Sequence, residues 1–174
     1  PKSVLEAAIF FDFRFVAGDE NLTNELKTYV TNEVQNKSVF LYHMAGNIIE
    51  AKLPATGNNK EIDVKKLLMP VTAFARVYSL KTGIPENNTL LRLSKIRDKN
   101  LIPVSFFNNI THTYRFLMQL RLDVQNQAIH KGEKPTNSIL AESLNEFELV
   151  ELKKSISIIA DMQTRLSADF KGVL

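Results

Sequence analysis

Asp63-Val-Lys-Lys-Leu-Leu-Met-Pro-Val-Thr-Ala-Phe-Ala-Arg-Val-Tyr-Ser-Leu-Lys-Thr-Gly-Ile-Pro85 carries a start signal, an apolar run and a stop signal in the order a helix requires. The Asp63 carboxylate can accept from the exposed N–H groups of a first helical turn. Gly83 can adopt the left-handed conformation that ends a helix, and Pro85 cannot continue one. The stretch therefore predicts a helix from Asp63 to Thr82. Pro70 either kinks it or marks where the helix proper begins.

Outward from this stretch the chain stays helical. Downstream, a short helix is expected over Thr89 to Arg97. A long one follows Pro103 and runs to about Lys131, where Gly132 stops it. After a loop around Pro135, a last helix starts at Asn145 and reaches about Phe170. Asn145 with Glu148 suits a capping box of the N-x-x-E kind. Upstream, Leu53 to Glu61 has turn composition, with Pro54, Gly57 and two asparagines. Ser38 to about Glu50 reads as an apolar helix. Leu22, Leu26, Tyr29, Val30 and Val34 recur at helical spacing behind Asp19, a further N-cap.

The remaining element is Ala7 to Val16, apolar and aromatic until Ala17-Gly18-Asp19. It reads as a short strand or extended segment, and no other strand candidate stands out. The expected fold is all-α, a bundle of about six helices preceded by that one short strand or extended segment.

Composition bounds the function. The chain has 174 residues, enough for one domain with a core of its own. Its 22 basic and 19 acidic residues leave a net charge of +3. The basic residues are scattered rather than gathered on one stripe, which argues against direct nucleic-acid binding. No window approaches the roughly 20 apolar residues a membrane span needs, and no signal peptide opens the chain. Cysteine is absent, which removes disulfides and thiolate chemistry and suits a reducing cytoplasm.

Catalytic templates are lacking. His43, His112 and His130 have no metal-ligand spacing. There is no nucleophile elbow and no phosphate-cradling glycine loop. Arg121 and His130 are too far apart for a helical nuclease that uses an Arg with a nearby His. No metal or other cofactor is expected in this chain by itself.

Two polar residues break the apolar stripes of the long helices. Arg121 interrupts Phe107, Ile110, Tyr114, Leu117, Val124 and Ala128. Gln163 interrupts Leu152, Ile156, Ile159, Leu166 and Phe170. A buried guanidinium needs partners, and Gln125 lies one turn beyond Arg121. Arg76 is a third candidate, one turn from Thr72 and Leu80. These residues read either as a pocket for an anionic or amide-bearing ligand or as an internal hydrogen-bond network. Asp63, Lys65 and Lys66 form a polar group at a helix start, by default a cap and surface pair. Asp12 and Arg14 fall on the same side of an extended segment and suggest a site or an anchoring ion pair.

Several phrases in order resemble one family. They are Ile9-Phe10-Phe11-Asp12-Phe13-Arg14 with Gly18-Asp19, Ile62-Asp63-Val64-Lys65, and Pro70 with Ala75-Arg76. Gly83-Ile84, Asn88-Thr89 and Arg92-Leu93 follow, then Leu120-Arg121-Leu122 with Gln125, Pro135 with Asn137, and Gln163. Together they resemble the putative nucleotidyltransferase substrate-binding domain. That domain closes bacterial signalling proteins that commonly carry a cyclic-nucleotide-binding-like domain, a CBS pair and a nucleotidyltransferase domain. The first phrase is also similar to the junction in PII uridylyltransferases where a catalytic-domain strand leads into a helical domain.

The resemblance implies that residues 1–19 are the trailing strand of a missing nucleotidyltransferase domain and residues 20–174 a helical substrate-binding domain. The chain begins at Pro1, which fits an excised piece. Catalysis in the family uses a Gly-Ser turn and paired acids that hold Mg and a nucleoside triphosphate. Neither motif is present, so those cofactors would belong to the parent. By this resemblance the chain is non-catalytic and holds a small-molecule or protein acceptor, or docks the catalytic domain. Arg76, Arg121, Gln125, Gln163, Asp63 and Lys65 are the candidate binding residues, and Asp12 and Arg14 mark the domain junction. The alternative is a regulatory module of a parent that has lost transferase activity, and a homodimer stays open.

Overall fold

The structure, a computed structural model, describes residues 10–55 and 61–171. The chain order is α1 (Glu20–Gln35), α2 (Ser38–Ile49), β1 (Glu61–Asp63), α3 (Val64–Thr82), α4 (Thr89–Asp98), α5 (Val104–His130), β2 (Ser138–Leu140), a 3-10 turn (Ala141–Ser143) and α6 (Glu146–Lys171). The architecture is all-α apart from one small two-stranded ladder.

The stretch from Asp63 to Gly83 becomes the axis of the bundle. α3 packs against each of the other five described helices. Leu67, Val71, Phe74, Ala75 and Val77 are fully buried, and Leu68, Tyr78 and Leu80 nearly so. A helix apolar on most of its faces belongs in the middle, and burying each large side chain contributes about 1.5–3 kcal/mol. Asp63 is the N-cap, its carboxylate accepting from the Lys66 N–H at 3.2 Å. Gly83 ends α3 with φ 69°, and the Ile84 N–H closes back on the Ser79 carbonyl at 2.9 Å. α3 begins before Pro70 and runs through it, so Pro70 is not the helix start. Having no N–H, Pro70 leaves the Lys66 carbonyl without its helical donor.

Other helix ends follow local chemistry as expected. Asp19 accepts from the Asn21 N–H at 2.9 Å. Asn145 and Glu148 cap one another reciprocally, each side chain accepting from the other's N–H at 2.9 Å. α5 begins after Pro103 and is followed by Gly132 at φ 73°.

Three features differ from expectation. First, Phe10 to Val16 is neither a paired strand nor extended throughout: Phe10 is helical, Phe11 and Asp12 form a turn, and only residues 13–16 lack regular structure. The Phe13 N–H turns back on the Phe10 carbonyl at 3.3 Å, and residues 13–16 pair with no strand among the described residues. Residues 1–9, where the expected strand begins, lie outside the described residues. Second, two short strands form at the edges of the expected loops, where no strand is expected. β1 and β2 are antiparallel, with Ile62 opposite Ile139 and Asp63 opposite Ser138. Both isoleucines are buried, so this ladder closes the core. Third, the α1 stripe points partly outward. Val34 is buried, but Leu22 and Tyr29 are each 65% exposed. The inner face is instead made by Thr23, Lys27, Val30, Thr31 and Val34. None of the described helices is long and apolar enough to cross a membrane.

Candidate functional site

A groove of about 720 Å³ runs between α2, α3 and α5. Pockets for small molecules generally fall between about 300 and 1,000 Å³. Its wall is apolar and adaptable, with Met44, Ile48, Leu68, Met69, Tyr114 and Met118. Lys52, Lys65, Lys66, Arg76 and Arg121 also line it, and no carboxylate does among the described residues. The excess of cations is local, since the chain as a whole is nearly balanced.

The cations are held at two ends. Lys65 and Lys66 stand in the first turn of α3, where the helix dipole adds positive potential. Arg121 is fixed nearby: its Nε donates to the Asn137 side-chain oxygen at 2.7 Å, and the Asn137 carbonyl accepts from the Val64 N–H at 2.9 Å. Gln125 donates to the same Asn137 oxygen at 3.1 Å. Only the Nε of Arg121 is committed to a protein acceptor among the described residues, so the outer guanidinium nitrogens remain available to the groove. Lys66 is offset by Asp63, 4.0 Å away.

Arg76 lies ten residues further along α3, about 15 Å at the helical rise. It is not free. Its guanidinium pairs with the Asp12 carboxylate through both Nε and Nη2. The second oxygen contact of Asp12 is Arg92, whose Nη2 donates at 2.7 Å while its Nε donates to the Glu86 carbonyl at 2.6 Å. Arg92 is 2% exposed. Burial lowers its pKa from the ordinary arginine value, and the Asp12 charge opposes that shift. Asn87 adds two donations, to the carbonyls of Asp12 at 3.1 Å and Phe13 at 2.6 Å. Phe11 stacks edge-on against Phe40 of α2 at 5.6 Å. The N-terminal segment is thus clamped across the end of α3 opposite Lys65.

The sequence candidates separate into three groups. Arg121, Lys65 and Arg76 meet at the groove. Asp63, Gln125 and Gln163 stand behind it. Asp63 caps α3, Gln125 holds Asn137, and the Gln163 amide donates to the Ile48 and Ala51 carbonyls at 2.8 Å each. Gln163 therefore closes the C-terminal end of α2, two of whose flanking residues line the groove. Asp12 and Arg14 do not pair: Asp12 engages the two arginines, and Arg14 is exposed with no ion pair among the described residues.

Arg92, Asn87 and Lys52 are participants that spacing did not single out. Arg92 sits between Leu91 and Leu93 on a short helix, and only its partner 80 positions away shows its role. The histidines stay apart. His112 faces Glu151 at 2.7 Å on the surface, and no cluster of three metal-ligating side chains forms among the described residues.

Against known proteins, no curated sequence matches the chain. A family match covers residues 38–170, from the start of α2 to nearly the end of α6, and so includes every wall of the groove. The chain belongs to the family described as putative nucleotidyltransferase substrate binding domain.

Proposed function

We propose that this chain holds the acceptor of a nucleotidylyl-transfer reaction in the groove between α2, α3 and α5. The chemistry would come from a nucleotidyltransferase domain of the same polypeptide, using Mg and a nucleoside triphosphate. The carrying observation is the groove itself, with its apolar wall, five cations and no lining carboxylate among the described residues. A bacterial signalling parent with CBS and cyclic-nucleotide-binding-like domains is the setting in which such a holder would act. The test is thermal denaturation of the chain with a panel of nucleotides, phosphorylated metabolites and neutral analogues. A ligand that binds only the native state raises the midpoint. At least one compound is expected to do so for the wild type and to lose its effect in Arg121→Gln. A flat response across the panel overturns the reading.

The exposed face of α1 favours a second role, docking of the catalytic domain. Leu22, Leu26 and Tyr29 are 65, 42 and 65% exposed, and Val16 just before α1 is 80% exposed. Such a cluster beside the clamped N-terminal segment suits a surface covered by an adjoining domain. Leu22→Lys with Tyr29→Lys should leave folding intact and weaken association with a separately expressed transferase domain. If the chain alone dimerises and the same pair of substitutions makes it monomeric, this face belongs to a homodimer instead.

A further inference from the structure

The groove is polar in one direction only. At the α3 N-terminal end, Lys52, Lys65 and Arg121 have no carboxylate partner among the described residues, and Lys66 shares its charge with Asp63 at 4.0 Å. At the other end Arg76 is already paired with Asp12, and Asp12 is shared with the buried Arg92. Between them the surface is methionine, aliphatic and Tyr114.

We infer that the groove takes a small molecule with a single phosphoryl group at one end and a flat apolar body at the other. The phosphoryl group sits among Lys52, Lys65 and Arg121, and the body lies along Met44, Met69, Met118 and Tyr114 toward Arg76. Three cations with no carboxylate partner among the described residues, beside a helix N-terminus, exceed what one carboxylate neutralises, and a phosphoryl dianion matches them. The engaged Arg76 leaves no free charge for a second anionic end. Thioethers supply a polarisable surface that adapts to an aromatic ring. This class rests on the reading that the groove is the holding site.

The methionines supply the measurement. The chain has four, of which Met44, Met69 and Met118 line the groove. Met162 is fully buried in the core and serves as an internal reference. Methyl-labelled methionine gives one NMR signal for each, assigned by single Met→Leu substitutions. The probes are 1-naphthyl phosphate, inorganic phosphate and 1-naphthol, alongside a fragment set of neutral, cationic and carboxylate compounds.

Naphthyl phosphate is expected to move the three groove methyls and leave Met162 in place. Inorganic phosphate and naphthol should each bind at least about tenfold more weakly, because each lacks half of the complementary surface. Lys65→Gln and Lys52→Gln, both changes of surface side chains that leave the fold intact, should each weaken naphthyl phosphate by about three- to tenfold, with the loss shrinking at high salt.

If inorganic phosphate binds as tightly as naphthyl phosphate, the apolar body plays no part and the inference fails. If other fragments move the groove methyls and naphthyl phosphate does not, the ligand class is wrong while the holding site stands. If nothing in the set moves them, the holding site itself is overturned.

Discussion

Replacing Asp12 by Asn tests the clamp that ties the N-terminal segment to the bundle. The change keeps size and hydrogen-bonding shape but removes the charge facing Arg76 and Arg92. Arg92 is the side that suffers, since its side chain is 3% exposed and the loss leaves a buried guanidinium facing a neutral amide. Removing one partner of a buried ion pair costs about 3–5 kcal/mol. Asp12 is 30% exposed, so water compensates part of this, and Arg92 keeps the Glu86 carbonyl. A loss of about 2 kcal/mol is the working figure.

Urea denaturation followed by helical circular dichroism reads this loss. With a slope of about 2 kcal/mol per molar, the midpoint should fall by about 1 M at unchanged slope. A double-mutant cycle supplies the control. In an Arg92→Met background the buried charge is gone, so Asp12→Asn should cost less than half as much. A midpoint that moves by less than about 0.2 M in Asp12→Asn, or equal costs in the two backgrounds, would refute the clamp.

Other outcomes follow from the helix ends and the core. Gly83→Ala forces a Cβ into left-handed backbone, at about 1–2 kcal/mol, and drives it into the Gln35 side-chain amide. Gly132→Ala meets the same backbone constraint with nothing within 4 Å, so it should lower the melting temperature less. Asn145→Ala removes one half of the reciprocal cap of α6 and should cost about 1 kcal/mol, measured as a shift in the urea midpoint. Tyr78 donates to Asp169, and its pKa is raised by burial and by that carboxylate. Its contribution is full below the unfolded tyrosine value of about 10 and is lost as pH rises above it. The alkaline fall in stability should therefore be shallower in Tyr78→Phe than in the wild type, and identical slopes would count against the assignment.

What the sequence reveals here is local chemistry. Asp19, Asp63, Gly83 and the Asn145–Glu148 pair act within four residues of themselves, so their roles can be read from the chain. The β1–β2 ladder escaped because three residues are too few to show alternation, and its buried isoleucines pair across a long loop. The α1 stripe misled because periodicity finds a face without saying what covers it. Lys27, Thr23 and Thr31 turn inward because the aliphatic stem of a lysine and the methyl groups of threonines pack well enough.

At the site, Arg121 and Gln125 are recognisable as polar residues on an apolar helix, but their common partner Asn137 lies in the loop before β2. Arg76 reads from the sequence as either a pocket residue or part of an internal network, and its engagement by Asp12 depends on a contact 64 positions away. Met44, Met69, Tyr114 and Met118 gave no sign of lining a groove, since such residues fill cores just as readily.

The ladder between β1 and β2 also bears on the order of folding. Asp63 and Ser138 face each other across 75 positions, whereas α3–α4 and α5–α6 pair between neighbours in sequence. Closing so long a loop is entropically unfavourable until the helices have already narrowed the distance. The ladder should therefore assemble last, and substitutions at Ile139 should speed unfolding while leaving the folding rate nearly unchanged. Because Asn137 anchors both the Val64 N–H and Arg121, the cationic end of the groove is completed in that final step. The Val64 amide should exchange its hydrogen through local opening well before the amides in the middle of α3 do. A ligand seated at that end would slow this exchange selectively, so that binding tightens the last-formed part of the molecule.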